Sequence, residues 1–225
     1  MRYPNSCRGV FCSRPNRFVA EVELEGVPET VHVKNTGRCK ELLLPGAAVI
    51  LTEPGGPARK TRYDLIAVER EGRLINIDSQ APNKAAAEYL RRRYPDAGRI
   101  QPEVRRGDSR LDFLIVTKEE KRIYTEVKGV TLFEGDTALF PDAPTQRGVK
   151  HLKELISCVE AGEQACLLFV IQAKGARRFR PNDAMDPAFG HALRQAAARG
   201  VCIEAVDCLV GEDFMLTDAP VIVGW

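Results

Sequence analysis

Two carboxylates and a lysine held close together can grip a divalent cation beside a phosphate, and residues 110–128 supply all three. They read R-L-D-F-L-I-V, then T-K-E-E-K, then R-I-Y-T-E-V-K. Two β-rich runs, 111–116 and 122–128, flank a polar segment and predict an antiparallel hairpin turning near Glu119 and Glu120. A loop of residues 118–120 sets Thr117 against Lys121 and Asp112 against Glu126, whereas a loop one residue different sets Asp112 against Val127. Either register leaves two carboxylates on neighbouring strands, roughly 5 Å apart at their Cα atoms. Strand alternation puts Glu126 and Lys128 on one face. Among the apolar neighbours Leu111, Phe113, Leu114, Ile115 and Val127, like charges repel unless a cation or a proton intervenes. The stretch is a divalent-metal site in outline. The competing reading is an ordinary cross-strand salt-bridge set.

Elements on both sides must position these groups. Residues 18–24 alternate, and further short runs at 31–33, 47–51, 64–68 and 74–77 are separated by turn signals such as Glu25-Gly26, Asn35-Thr36-Gly37 and Pro45-Gly46. Five short strands with no long helix predict a small β-barrel of OB-like type over 1–82. Pro82 is expected to end that region, and Asn83 to cap a helix over 84–93 whose arginines fall in its last turns. A strand at 100–106 precedes the hairpin, and 129–145, which lacks periodicity, reads as a long functional loop. A helix follows over 146–161, with Val149, Leu152, Ile156 and Val159 on one face and Arg147, Lys150, His151 and Glu154 opposite. The apolar run 165–171 predicts a strand buried on both faces. A helix over 187–199, a strand over 201–206 and a closing strand at 221–223 complete a mixed α/β region over 83–225.

The whole chain carries 33 basic and 31 acidic residues, so net charge alone does not announce a polyanionic partner. Its distribution does more. Residues 83–110 hold eight basic against four acidic groups, and 144–180 hold seven against three, so two basic blocks flank the carboxylate hairpin. Arg105, Arg106, Arg147, Lys150 and His151 are the candidates these blocks supply for nucleic-acid contact, with a solvated face as the alternative. No run suits a membrane helix and the first residues lack the apolar core of a secretory signal, so a cytoplasmic protein is expected. The seven cysteines are scattered without zinc-ligand spacing, which predicts reduced thiols and buried apolar roles for Cys158, Cys166 and Cys202.

An Asp on the second strand and Glu-x-Lys on the third, set between helices, resembles the core of the PD-(D/E)XK nucleases. A longer match covers nearly the whole chain: N-R-F at 16–18, N-T-G-R at 35–38, L-L-L-P-G at 42–46, S-R-L-D-F at 109–113, Y-T-E-V-K-G-V-T-L at 124–132 and F-P-D-A-P-T-Q-R-G-V-K-H-L at 140–152. These blocks resemble the bacterial and archaeal sugar fermentation stimulation proteins. That resemblance implies an OB-like domain joined to a PD-(D/E)XK-like domain, DNA binding, and a link to maltose utilisation. On this reading Asp112, Glu126 and the Val127 backbone carbonyl would ligate Mg²⁺ or Mn²⁺, with Glu88 or Glu103 as lesser candidates. Lys128 would orient water or neutralise charge developing on phosphate. Asn35, Thr36 and Arg38 form either a good turn or a contact to a nucleic-acid backbone. Aromatics are sparse in the barrel (Phe11, Phe18, Tyr63), which favours sequence-tolerant backbone contact with DNA, or less readily RNA, over base readout. The alternative to an endonuclease-like enzyme is a non-catalytic DNA-binding regulator.

Overall fold

The computed structural model describes residues 1–35, 37, 39–56, 59–107 and 109–225. Its first six strands are β1 (Ser6–Asn16), β2 (Val19–Leu24), β3 (Val27–Val33), β4 (Ala48–Thr52), β5 (Asp64–Arg70) and β6 (Arg73–Asn76). They pair in the order β3-β2-β1-β4-β5-β6, and a parallel β3–β5 pairing at His32↔Asp64 and Val33↔Leu65 closes the first five into an OB-like ring. Alternation explains the filling: Ala20 and Val22, Val31 and Val33, Val49 and Leu51 all turn inward onto Phe11 and Leu65.

β1 was not expected from sequence. Its S-C-R-G-V-F-C-S-R-P-N is too polar to read as a strand, because only Phe11 is buried. It exists because its first part pairs with β4 (Arg8↔Ile50) and its later part with β2 (Phe11↔Val22), the β2 pairing shifting register after Phe11.

The second region begins with α1 (Ala81–Arg93). The sequence reading ended the barrel at Pro82 and capped the helix with Asn83, but Pro82 lies inside the first helical turn and Gln80 is the cap residue. Proline is tolerated there because the first helical N–H groups have no intrahelical acceptor. Next come β7 (Ala97–Arg106), β8 (Ser109–Thr117) and β9 (Arg122–Val130). The hairpin adopts the first expected register: Phe113↔Thr125, Leu114↔Tyr124 and Thr117 N–H donating to the Lys121 carbonyl.

The expected loop at 129–145 is mostly a hairpin, β10 (Leu132–Glu134) and β11 (Thr137–Phe140), turning through Gly135 at positive φ. Three- and four-residue strands are too short to show a period, but Phe133 and Phe140 anchor this one on the core. Then follow α2 (Gln146–Glu160), β12 (Gln164–Ile171), β13 (Arg178–Pro181), α3 (Pro187–Ala198), β14 (Cys202–Val210), β15 (Met215–Pro220) and β16 (Ile222–Val223). The main sheet runs β15-β14-β12-β9-β8-β7, and a smaller one runs β10-β11-β13-β16.

β12 sits between two parallel neighbours, which is why its run is apolar throughout. Its odd-numbered side chains (Leu167, Phe169, Ile171) pack with α2 and α3, and its even ones (Leu168, Val170) with α1. The fold is α+β, an OB-like unit followed by a helix-flanked mixed sheet.

Candidate metal centre

Register and alternation together assemble the site. Asp112 lies one step beyond the Phe113↔Thr125 pair, so it faces Glu126, and its Oδ2 accepts the Val127 N–H at 2.8 Å. Its Oδ1 accepts from Asn83 Nδ2 at 2.7 Å, so the residue expected to cap α1 instead reaches across to hold the aspartate. Glu126 and Lys128 share the face covered by α2, and Lys128 Nζ donates to Glu126 Oε1 at 2.6 Å. Glu126 is 2% exposed.

His151 was expected on the open side of α2. It is buried, its Nδ1 is bonded to Glu126 Oε1 and lies 3.1 Å from Lys128 Nζ, and Arg147 Nε sits 3.4 Å from its Nε2. Counting from Thr145, which caps α2 by accepting the Gly148 N–H, His151 falls on the same helical face as Leu152 and Leu155. The apolar spacing of Val149, Leu152, Ile156 and Val159 centres the stripe away from His151, so the roll of α2 against the sheet, and not its local pattern, brings His151 to Glu126.

The electrostatics separate the two carboxyls. Burial raises the Asp112 pKa, with the neighbouring Glu126 charge adding to it. Burial also pushes Glu126 up, but the His151 hydrogen bond and Lys128 outweigh it and leave Glu126 below its ordinary value. One atom is left over: Glu126 Oε2 is buried and has no hydrogen-bond partner among the described residues. A buried carboxylate oxygen without a partner costs on the order of 1–3 kcal/mol. A hard cation is a fitting occupant, since Glu126, Asp112 and the Val127 carbonyl are all oxygen donors of the type Mg²⁺ and Mn²⁺ take.

The neighbours of this pair line a cleft of about 250 Å³ between the OB-like unit and the sheet. It is lined by Asn83, Val127, Lys128, Gln172 and Asp142 together with Asn35, Gly37 and Ser79. Asn35 and Gly37 of one sequence block and Asp142 of another therefore meet Val127 and Lys128 of the hairpin. Asn35 acts as the turn reading foresaw: its Oδ1 accepts the Gly37 N–H at 2.7 Å and its Nδ2 donates to the Ile77 carbonyl. Thr36 and Arg38 lie outside the described residues. Gly129 permits the cleft floor, because a Cβ there would collide with Gln172 Oε1 and Pro82 Cγ.

The remaining candidates lie elsewhere. Glu88 pairs with the Met1 amino group at 3.0 Å, and exposed Glu103 pairs with Arg110 at 3.5 Å. Neither is among the groups that bond Asp112 or Glu126. Arg106 is engaged with Glu163 at 2.7 Å and lies over the Tyr124 ring, a packing role, while Arg105 is exposed and opposite Arg110. Arg147 and Lys150 are exposed on α2. Cys158 and Cys166 are buried as expected; Cys202 is exposed, because it opens β14 at the sheet's end.

Comparison with known proteins agrees with this architecture. A family model described as the sugar fermentation stimulation protein RE domain matches residues 80–214, and one described as the SfsA N-terminal OB domain matches 12–77. A sugar fermentation stimulation protein homolog from Ruminiclostridium cellulolyticum is 49% identical over 217 residues, covering 96% of each chain. One from Desulfitobacterium hafniense is 52% identical over 214 residues, covering 95% of this chain and 93% of its own. Among solved structures, Pyrococcus furiosus SfsA in complex with Ca²⁺ superposes with a TM-score of 0.88 at 31% identity, covering 100% of this chain and 98% of the other. With both family models matched and near-full-length relatives at about half identity, the chain belongs to the sugar fermentation stimulation protein family.

Proposed function

We propose that this protein binds DNA through sequence-tolerant backbone contacts and hydrolyses phosphodiester bonds with the help of Mg²⁺ or Mn²⁺ at Asp112 and Glu126. The observation that carries the reading is the unpartnered, buried Oε2 of Glu126 set beside a second carboxylate whose own pKa is raised by burial and by that charge. Ca²⁺ in the Pyrococcus furiosus relative supports a hard-cation site in the family. When bound, such an ion neutralises phosphate charge and makes water a better nucleophile at neutral pH. The protein's own groups do the positioning. Asn83 and the Val127 N–H fix both oxygens of Asp112, and His151 and Lys128 hold Oε1 of Glu126 while its buried Oε2 keeps no partner among the described residues. Lys128 carries an ammonium next to the cleft, where it can stabilise negative charge growing on a phosphoryl oxygen. Exposed Arg147 and Lys150 on α2 and Arg105 on β7 supply phosphate contacts.

The test is cleavage of single-stranded, duplex and branched DNA, and of RNA, with Mn²⁺ or Mg²⁺, alongside Mn²⁺ calorimetry. Asp112→Ala and Glu126→Ala should abolish cleavage and metal uptake while sparing DNA binding, and that binding should weaken steeply with salt. Cleavage that survives both substitutions sinks the catalytic assignment. DNA binding with metal uptake but no cleavage of any substrate would make the protein a regulator that retains a nuclease-like site. A flat salt response would remove the phosphate-contact reading.

A further inference from the structure

Two of the seven cysteines meet on the sheet face that Glu126 and Lys128 do not use. β12 and β14 run parallel with Cys166 directly opposite Cys202. Leu168, Val170, Val206 and Cys208 of these strands pack under α1, so alternation carries Cys166, Cys202 and Glu204 onto the α1 side as well. Their ligand atoms, two sulfurs and a carboxylate oxygen, all lie within 4.8 Å of one another, with Cys202 Sγ 3.6 Å from Glu204 Oε1.

The surroundings resemble the outer layer of a ligand set. The other Glu204 oxygen accepts the Tyr89 hydroxyl at 3.0 Å, and Arg93 lies 3.6 Å from Oε1. On the other side of Cys166 its register partner is Thr125, fully buried, whose Oγ1 has no hydrogen-bond partner among the described residues. That hydroxyl is one strand away from a sulfur which, as a thiolate, would accept its hydrogen bond. A cleft of about 430 Å³ lined by Arg93, Tyr94, Cys166, Cys202 and Glu204 provides an approach and room for a water.

We propose that Cys166, Cys202 and Glu204 bind one thiophilic divalent cation of the zinc class, with a water completing a tetrahedron. Two thiolates and one carboxylate are a donor set that zinc takes and that Mg²⁺ and Ca²⁺ do not, so the molecule sorts hard and soft ions onto opposite faces of one sheet. Binding releases the two thiol protons to solvent and leaves the sulfur oxidation state unchanged. Tyr89 orients the carboxylate from behind, as outer hydrogen bonds do in metal sites. The site is independent of the nuclease reading, since none of its residues touches Asp112 or Glu126 through a hydrogen bond.

Cobalt(II) is the probe, because thiolate ligation gives it a near-ultraviolet charge-transfer band that oxygen ligation at Asp112 and Glu126 does not. Reduced full-length protein should develop that band with one equivalent, Zn²⁺ should displace it, and Glu126→Ala should leave it intact. Cys202→Ser, at an exposed position, should cut the band to about half at saturation and weaken cobalt by at least about 100-fold, and Tyr89→Phe should weaken it about 10-fold. Glu204→Gln is the independent variant, expected to weaken cobalt while the band persists. Absence of the band in reduced protein, or a full-strength band at unchanged cobalt affinity in Cys202→Ser, overturns the proposal. So does a Cys166–Cys202 disulfide formed by peroxide in protein that takes up no cobalt when reduced, which would make the pair a redox element instead.

Discussion

At the scale of single residues, the site depends on which oxygen of Glu126 is occupied. His151 and Lys128 both hold Oε1, and both are largely shielded from solvent. His151→Ala should therefore cost about 1–3 kcal/mol in urea unfolding of metal-free protein, because it removes a buried hydrogen bond and leaves a void beside a carboxylate. A cost near zero would mean that the contact carries no stability. The pH dependence has a definite sign. Glu126 titrates below its ordinary value, so its contribution is fully present above the unfolded carboxylate pKa of about 4.3 and is lost as pH falls through the folded value. The stability advantage of wild type over Glu126→Gln should accordingly shrink below about pH 4.3. Asp112, held above its ordinary value, contributes in the opposite sense and is relieved by acid. Much of this residue set was legible from sequence, since Asp112, Glu126 and Lys128 follow from alternation in a hairpin. Asn83 and His151 were not placed correctly, because each arrives from a helix whose rotation against the sheet no local pattern specifies.

At the scale of elements, the ends of the helices decide where these side chains arrive. Asp186 Oδ1 caps α3 by accepting the Phe189 N–H at 3.0 Å, and its Oδ2 accepts the Thr145 N–H at 2.8 Å, at the cap of α2. One carboxylate thus fixes the start of two packed helices, one of which carries His151. Asp186→Ala should lower stability by about 2 kcal/mol, the upper range for a cap, and should weaken Mn²⁺ uptake through displaced His151. Unchanged urea midpoint and metal affinity would separate α2 from the site. The long periodic elements, α2, α3 and β12, were readable because each buries a continuous stripe. β10, β11 and β13 were not, since three or four residues contain no period; the closing strand expected at 221–223 is β16. β1 escaped for another reason: its backbone pairs on both sides while most of its side chains stay in water.

At the scale of the whole molecule, a buried polar seam joins the OB-like unit to the sheet. Gln172 Nε2 donates to the Asn76 and Asp78 carbonyls at 3.0 and 3.2 Å, and the Asn76 N–H donates to the Gln172 carbonyl at 2.8 Å. Tyr3 donates to Asp78, which also pairs with Lys34 at 2.9 Å. Burial, with Asp78 beside it, drives the Tyr3 hydroxyl well above its ordinary pKa, so it stays a proton donor. Gln172→Ala strips several buried acceptors at once and should cost about 2–3 kcal/mol in urea unfolding. Because Gln172 also lines the cleft, DNA affinity should fall in the same variant. Loss of stability with DNA binding untouched would show that the cleft is not the binding surface.

The choice between the hairpin's two possible registers came from the structure, whereas the sequence by itself determined the hairpin, the three charged groups on it and the strand-rich then mixed α/β order of the chain. Those follow from alternation and turn chemistry, which act over a few residues and need no partner. Tertiary structure alone decided that Gln80 rather than Asn83 caps α1, that His151 turns inward to Glu126, that Glu88 is drawn to Met1, and that Cys166 and Cys202 become neighbours. Each of these depends on how a helix rolls against the sheet or which strands lie side by side, and such pairings are set by the packing of the whole core rather than by any local stretch.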